Sequence, residues 1–281
     1  SEVFTNLTNI QWHLGVAALL VLLAQPSKKL LWRLFDYAIL IATGLSGPMV
    51  VILAPISLFL FWRHRTKRYR NMFLLLAGLS VIQIIGIFFL SGVERVGVAR
   101  PNFYYFIQMI TGQIFIGGLL GQDYVNVLYG NFVMLFVIFT LGITLITYAV
   151  IKGPEWLKIA IAYSILLITA MLISLKPVPG FDPWQGLVNP GGGQRYWYIP
   201  ILVWIVTLVW LAFRATVPAL KKFSIIGLCL LLLIGIPTDW RIQVWPYQDF
   251  QTHATRFEQS PPGTVTHIPV NPGWEMVLTK R

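Results

Sequence analysis

Between Asn131 and Ile151 there is no Asp, Glu, Lys or Arg. That stretch is as long as the roughly 20 apolar residues needed to cross a hydrocarbon core of about 30 Å. It is one of several. Candidate spans cover residues 9–25, 30–44, 48–62, 72–92, 131–151, 157–175, 197–213 and 223–238. Of the 281 residues, 57% are apolar and only 11% charged, with a mean hydropathy of +0.72. A soluble domain carries about a quarter of its residues as charged side chains. So few charges cannot cover a water-facing surface, which excludes a soluble enzyme, a disordered tail and a secreted disulfide scaffold. The single Cys229 supplies neither a disulfide framework nor a thiolate metal cluster. The expected fold class is an all-α polytopic membrane protein.

The net charge of +11 is distributed along the chain in a way that orients helices. Nucleic-acid binding needs the charge gathered on one folded face, whereas here the basic residues flank apolar runs; no nucleic-acid partner is expected. Residues 30–62 form one apolar stretch broken at Gly44-Leu45-Ser46-Gly47-Pro48. Lys28, Lys29 and Arg33 precede it, and Arg63, Arg65, Lys67, Arg68 and Arg70 follow it. Basic clusters prefer the cytoplasm, so both ends belong inside and the Gly-Pro break outside, as a hairpin of two short helices. Lys152, Lys158, Arg214, Lys221 and Lys222 then also fall inside. The acidic residues, Asp36 and Glu155 excepted, fall outside with the long connections 93–130 and 176–196 and the tail. Loops carried on a rigid scaffold hold chemistry, so the working face is expected to be extracytoplasmic. Both termini are expected on that side.

Two segments need separate readings. Residues 103–121 are apolar enough for another span, yet a crossing there would place Lys152, Lys158, Lys221 and Lys222 outside. The segment also holds four glycines and two glutamines. It reads as interfacial or re-entrant. From Asp239 the chain turns polar, so the expected domains are a transmembrane unit, 1–238, and a tail, 239–281. The tail contains an amphipathic stretch, QDFQTHATRFEQ, and two short strands within TVTHIPVNPGWEMVLTK.

Catalytic signatures such as a Walker loop, HExxH, Cys-x-x-Cys and Gly-x-Ser-x-Gly are absent from the sequence. The four histidines are scattered, and no metal ligands are assigned. Three carboxylates in outer loops, Glu94, Asp123 and Asp182, are candidates for a base or a metal ligand; each is otherwise an ordinary solvated carboxylate. The most informative segment is KPVPGFDPWQGLVNPGGGQRYWYIP, residues 176–200. There Gly191, Gly192 and Gly193 precede Arg195-Tyr196-Trp197-Tyr198. An Arg at this depth can hold a lipid phosphate by bidentate hydrogen bonds. The alternative is an aromatic belt with a snorkelling Arg.

The hairpin ATGLSGPMVVILAPISLFLFWRHR resembles the middle hairpin of bacterial polytopic glycosyltransferases of the GT-C superfamily. GGGQRYWYIP is similar to an outer-loop element of the same enzymes, and NLTNIQWHLG and PPGTVTHIPVNPGWEMVL resemble stretches of bacterial members. The resemblance implies an enzyme of the bacterial cytoplasmic membrane that moves a sugar from a polyprenyl-phosphate donor to an extracytoplasmic acceptor. It assigns Arg195 and Tyr196 to the lipid phosphate and leaves room for a divalent cation. The family's catalytic carboxylate usually follows the first span, and Ser1 corresponds to the middle of a member. The resemblance therefore implies an upstream segment or partner subunit that supplies it. Two other readings remain: a non-catalytic membrane scaffold or assembly subunit, and a transporter. The spans after residue 72 hold no ionisable residue beyond their ends, which counts against ion-coupled transport.

Overall fold

The computed structural model describes residues 9–87, 102–175, 183–189, 193–241, 247–270 and 274–280. They are mostly helical. Two compact units divide at Asp239, the first Ser1–Asp239 and the second Trp240–Arg281.

In the first unit, α1 (Ile10–Leu23), α2 (Leu30–Ser46), α3 (Met49–His64) and α4 (Lys67–Ile85) correspond to the first four expected spans. Then come α5 (Phe103–Leu120), a short α6 (Val125–Tyr129), α7 (Phe132–Lys152) and α8 (Glu155–Ser174). A short α9 (Pro183–Val188), α10 (Gln194–Arg214) and α11 (Pro218–Asp239) complete the unit. Helices α5, α7, α8, α10 and α11 are long and apolar enough to cross a membrane. Helices α1 and α3 are apolar but shorter, at 14 and 16 residues. Helix α4 begins five residues before its apolar run, because the Thr66 hydroxyl caps it by accepting the Tyr69 N–H at 3.3 Å. Pro218 opens α11 in the same early way, from the first helical turn where its missing N–H costs nothing.

The surface of this bundle suits lipid. Phe213 is 76% exposed and Leu233 77% exposed, which in water would be an aggregating face. Inside, Leu22, Leu40, Leu53, Leu76 and Tyr163 belong to one buried cluster, and Met109, Phe115, Trp197 and Trp204 to another. Small residues let helices approach, as expected where lipid tails are as apolar as the side chains. Gly44 lies against Leu79, and Gly142 against the Phe115 ring. Polar side chains tie helices together through backbone carbonyls. The Ser80 hydroxyl donates to Val50 O at 3.1 Å, and Gln83 Nε2 to Gly44 O at 2.7 Å.

The basic loops gather at one end of the bundle. Arg68 donates to Ala24 O at 2.6 Å and to Val21 O at 2.8 Å, closing the carbonyl end of α1. Asp36 lies 4.0 Å from the same guanidinium. His64 reaches Glu155 at 3.3 Å and Arg63 reaches it at 4.0 Å. The Tyr148 hydroxyl meets Thr216 Oγ1 at 2.9 Å and accepts the Thr216 N–H at 3.1 Å. Thus the loops near residues 28–33, 63–70, 152–158 and 214–222, grouped by charge in the sequence, share one end. The Gly47-Pro48 turn lies at the other, where Gly47 packs on Gln11.

Helix α5 is about 27 Å long at 1.5 Å per residue, so length permits a crossing. The contacts at its two ends fall on the same side of the bundle. Tyr104 stacks 5.6 Å from Phe132, at the start of α7. At the other end, Gly121 abuts Asp239, the last residue of α11, and the Gln122 N–H points at Asp239 Oδ1 from 3.4 Å. Both ends of α5 therefore sit at the end of the bundle opposite the basic loops. Phe115, packed on Gly142 and Trp204, marks its deeper middle. The helix is two-thirds buried, against 22% for α7 and 17% for α11.

The second unit holds α12 (Phe250–Gln259) and an antiparallel pair, β1 (Val265–Val270) with β2 (Trp274–Thr279), in register Val265↔Thr279 to Val270↔Trp274. Lys280 Nζ donates to Glu258 O at 2.9 Å and stands over the Phe257 ring, tying the strands to the helix.

Candidate functional site

The first turn of α10 builds the patch. Gly193 takes φ +60, a left-handed conformation open to glycine, and its carbonyl accepts the Tyr196 N–H at 2.8 Å. A Cβ at Gly193 would press on Leu187 and Tyr196. This turn sets Arg195 at the end of the bundle opposite the basic loops, half-buried, with its guanidinium 5.2 Å from the centre of the Tyr196 ring. Stacking on the ring holds the planar fork in place.

Helix α1 supplies the other wall. The rings of Trp12 and Tyr196 meet edge to face at 5.5 Å. The Tyr198 hydroxyl lies 3.1 Å from His13 Nδ1. Trp12 is buried, and its Nε1–H has no hydrogen-bond partner among the described residues. A buried donor without an acceptor costs free energy. Trp12 and His13 were not expected at the site; only the Trp-His pair opening α1 hints at them, and the contact of His13 with Tyr198 of α10 bridges 185 residues.

Of the expected carboxylates, Asp123 is exposed in the turn Gln122–Tyr124, and its loop is joined to Asp239 of α11. Glu94 and Asp182 lie outside the described residues, as do Gly191 and Gly192. Among the described residues no group of three His, Cys, Asp or Glu side chains is placed to hold a metal ion.

A second polar cluster lies under α9. The middle of α5, Ile110–Ile116, is a π-helix, a form that often marks functional sites. From it, Gln113 Nε2 donates to the carbonyls of Leu187, Val188 and Asn189 at 3.0, 3.1 and 3.0 Å. The Tyr129 hydroxyl donates to Val188 O at 2.8 Å. Burial pushes the Tyr129 phenol well above the usual range, so it stays a donor. Gly112 lets the Tyr129 ring approach. These bonds satisfy the carbonyl end of α9, which leads through Gly193 into the Arg195 turn. No family model, curated protein or solved structure matches the chain.

Proposed function

We propose that this chain is a polyprenyl-phosphate-dependent membrane glycosyltransferase of the GT-C type, or the C-terminal part of one, acting at the outer face of a bacterial cytoplasmic membrane. The carrying observation is the Arg195 guanidinium stacked on Tyr196, whose ring meets the buried Trp12 ring of α1 edge to face. A guanidinium held on an aromatic ring at the end of the bundle can take phosphate oxygens. In sugar transfer the carrier phosphate leaves with the electron pair of the broken C1–O bond. Positive charge held in place at Arg195 stabilises that developing negative charge. An acceptor hydroxyl would lose its proton to a carboxylate, with Glu94 and Asp182 as the outer-loop candidates. The same proposal takes α1 to α4, α7, α8, α10 and α11 as eight crossings, with the basic loops cytoplasmic. The scaffold reading draws support from Asp123, the one expected carboxylate in the described residues, whose loop joins α11 and not the α1–α10 patch.

The test is polyprenyl-phosphate binding by purified wild type, Arg195→Lys and Arg195→Ala. A charge-assisted contact contributes about 1.5–3 kcal/mol, so Arg195→Ala should bind roughly 10- to 150-fold more weakly. Arg195→Lys keeps the charge but loses the fork and should fall between. Equal binding by all three would move the reading to a scaffold.

A further inference from the structure

Helices α3 and α8 are held together at two points, one of them at the basic end. His64 meets Glu155 at 3.3 Å, and deeper in the bundle the Tyr163 hydroxyl donates to Met49 Sδ at 3.8 Å. Between these points the helices leave a groove of about 520 Å³. Its walls are apolar: Pro55, Ile56, Phe59, Ile159, Ala162 and Leu166. Phe59 and Leu166 are 45% and 38% exposed, so the groove opens sideways, to the face that suits lipid. Its mouth is charged. Arg63 and Lys158 stand there against the single carboxylate of Glu155, which Arg63 approaches at 4.0 Å. Two formal positive charges against one negative leave the rim cationic, with His64 beside it.

We propose that this groove binds one anionic phospholipid of the surrounding membrane, its headgroup phosphate at Arg63 and Lys158 and an acyl chain between α3 and α8. An apolar slot with a cationic rim at the membrane boundary matches such a molecule in both parts. Basic pockets between membrane helices take acidic headgroups for the same reason. A soluble anion would use the rim alone and leave the apolar walls empty. A zwitterionic lipid would fill the walls but bring its own cation to Arg63 and Lys158. Neither matches the whole groove. The site is independent of the sugar-transfer reading, since it uses no residue of the Arg195 patch and lies at the other end of the bundle.

The experiment measures binding of dioctanoyl phosphatidylglycerol and dioctanoyl phosphatidylcholine to the purified full chain in mixed micelles, by native mass spectrometry or calorimetry. Wild type should prefer phosphatidylglycerol about tenfold or more. Each Lys or Arg near the headgroup contributes about a fivefold effect, so the double variant Arg63→Gln/Lys158→Gln should bind it roughly 30-fold more weakly. Glu155→Gln removes the competing carboxylate, and should bind as tightly as wild type or tighter. That sign separates an electrostatic site from simple loosening of the α3–α8 contact. Inorganic phosphate and glycerol 3-phosphate at matched concentration should not compete. Equal affinity of wild type for the two lipids would overturn the proposal. So would an unchanged double variant, a Glu155→Gln variant as weak as the double variant, or displacement by inorganic phosphate. If the double variant does not fold, the lipid preference of wild type and the Glu155→Gln result decide alone.

Discussion

Gln113→Glu is expected to destabilise the protein by about 3–5 kcal/mol, the range for leaving an uncompensated charge in a buried position. The Gln113 side chain is fully buried and aims its amide N–H groups at three carbonyls. A carboxylate there would face the oxygens of Leu187, Val188 and Asn189 without a donor. Gln113→Leu removes the donors without adding charge and should cost less, about 1–3 kcal/mol for the carbonyls left unsatisfied. Tyr129, which still donates to Val188, limits that loss. Denaturation of each purified variant in mixed micelles measures the order, Glu below Leu below wild type. A Glu variant as stable as wild type would mean that the α9 carbonyls are satisfied by something other than Gln113.

Gly142→Leu is the second large effect. A Cβ at Gly142 would fall on the Phe115 ring, and that ring is itself packed 4.7 Å from Trp204. Neither ring is the free end of a flexible side chain, so α7 and α5 must separate. Overpacking of this kind costs about 1–3 kcal/mol and occasionally more, and Gly142→Leu should lie at the upper end, with Gly142→Ala milder but still destabilising. The same denaturation measurement checks it. Stability equal to wild type for both variants would show that the Phe115 ring of α5 does not pack on Gly142 of α7.

The helices were legible because apolar runs of membrane length leave little else to form, and because turn residues punctuate them. Gly47-Pro48 ends one helix and starts the next as the charge pattern required. The grouping of the basic loops was legible too, since a bundle of antiparallel helices puts alternate connections at one end. Helix starts were less so: α4 begins at Lys67 because Thr66 caps it, a local signal that the hydropathy of the run conceals. Depth in the membrane cannot be read from apolarity at all. Residues 103–121 are hydrophobic whether the helix crosses or returns, and the contacts of Tyr104 with Phe132 and of Gly121 with Asp239 are not written in that apolarity. At the site, Arg195 and Tyr196 were visible as an Arg-aromatic run behind glycines. Trp12 and His13 were not, because no local pattern says which helix start lies beside which. The hydrogen bonds from the Gln113 amide to the three carbonyls at the end of α9 were invisible for the same reason, as were those from Arg68 to Val21 and Ala24.

The central claim is a membrane bundle with its basic loops on one side and the Arg195 patch on the other, and cysteine accessibility tests it most directly. In a background where Cys229 is replaced by Ser, single cysteines are placed at Ser27, Thr66, Thr216 and Gly130 and treated in intact cells with a membrane-impermeant maleimide. Gly130 has open space around it and adjoins the start of α7, on the Arg195 side. The expected result is labelling of Gly130→Cys from outside, with Ser27→Cys, Thr66→Cys and Thr216→Cys labelled only after the membrane is opened. Labelling of Thr66→Cys or Thr216→Cys in intact cells while the other stays protected would contradict the arrangement, because it would put loops that share one end of the bundle on opposite sides of the membrane.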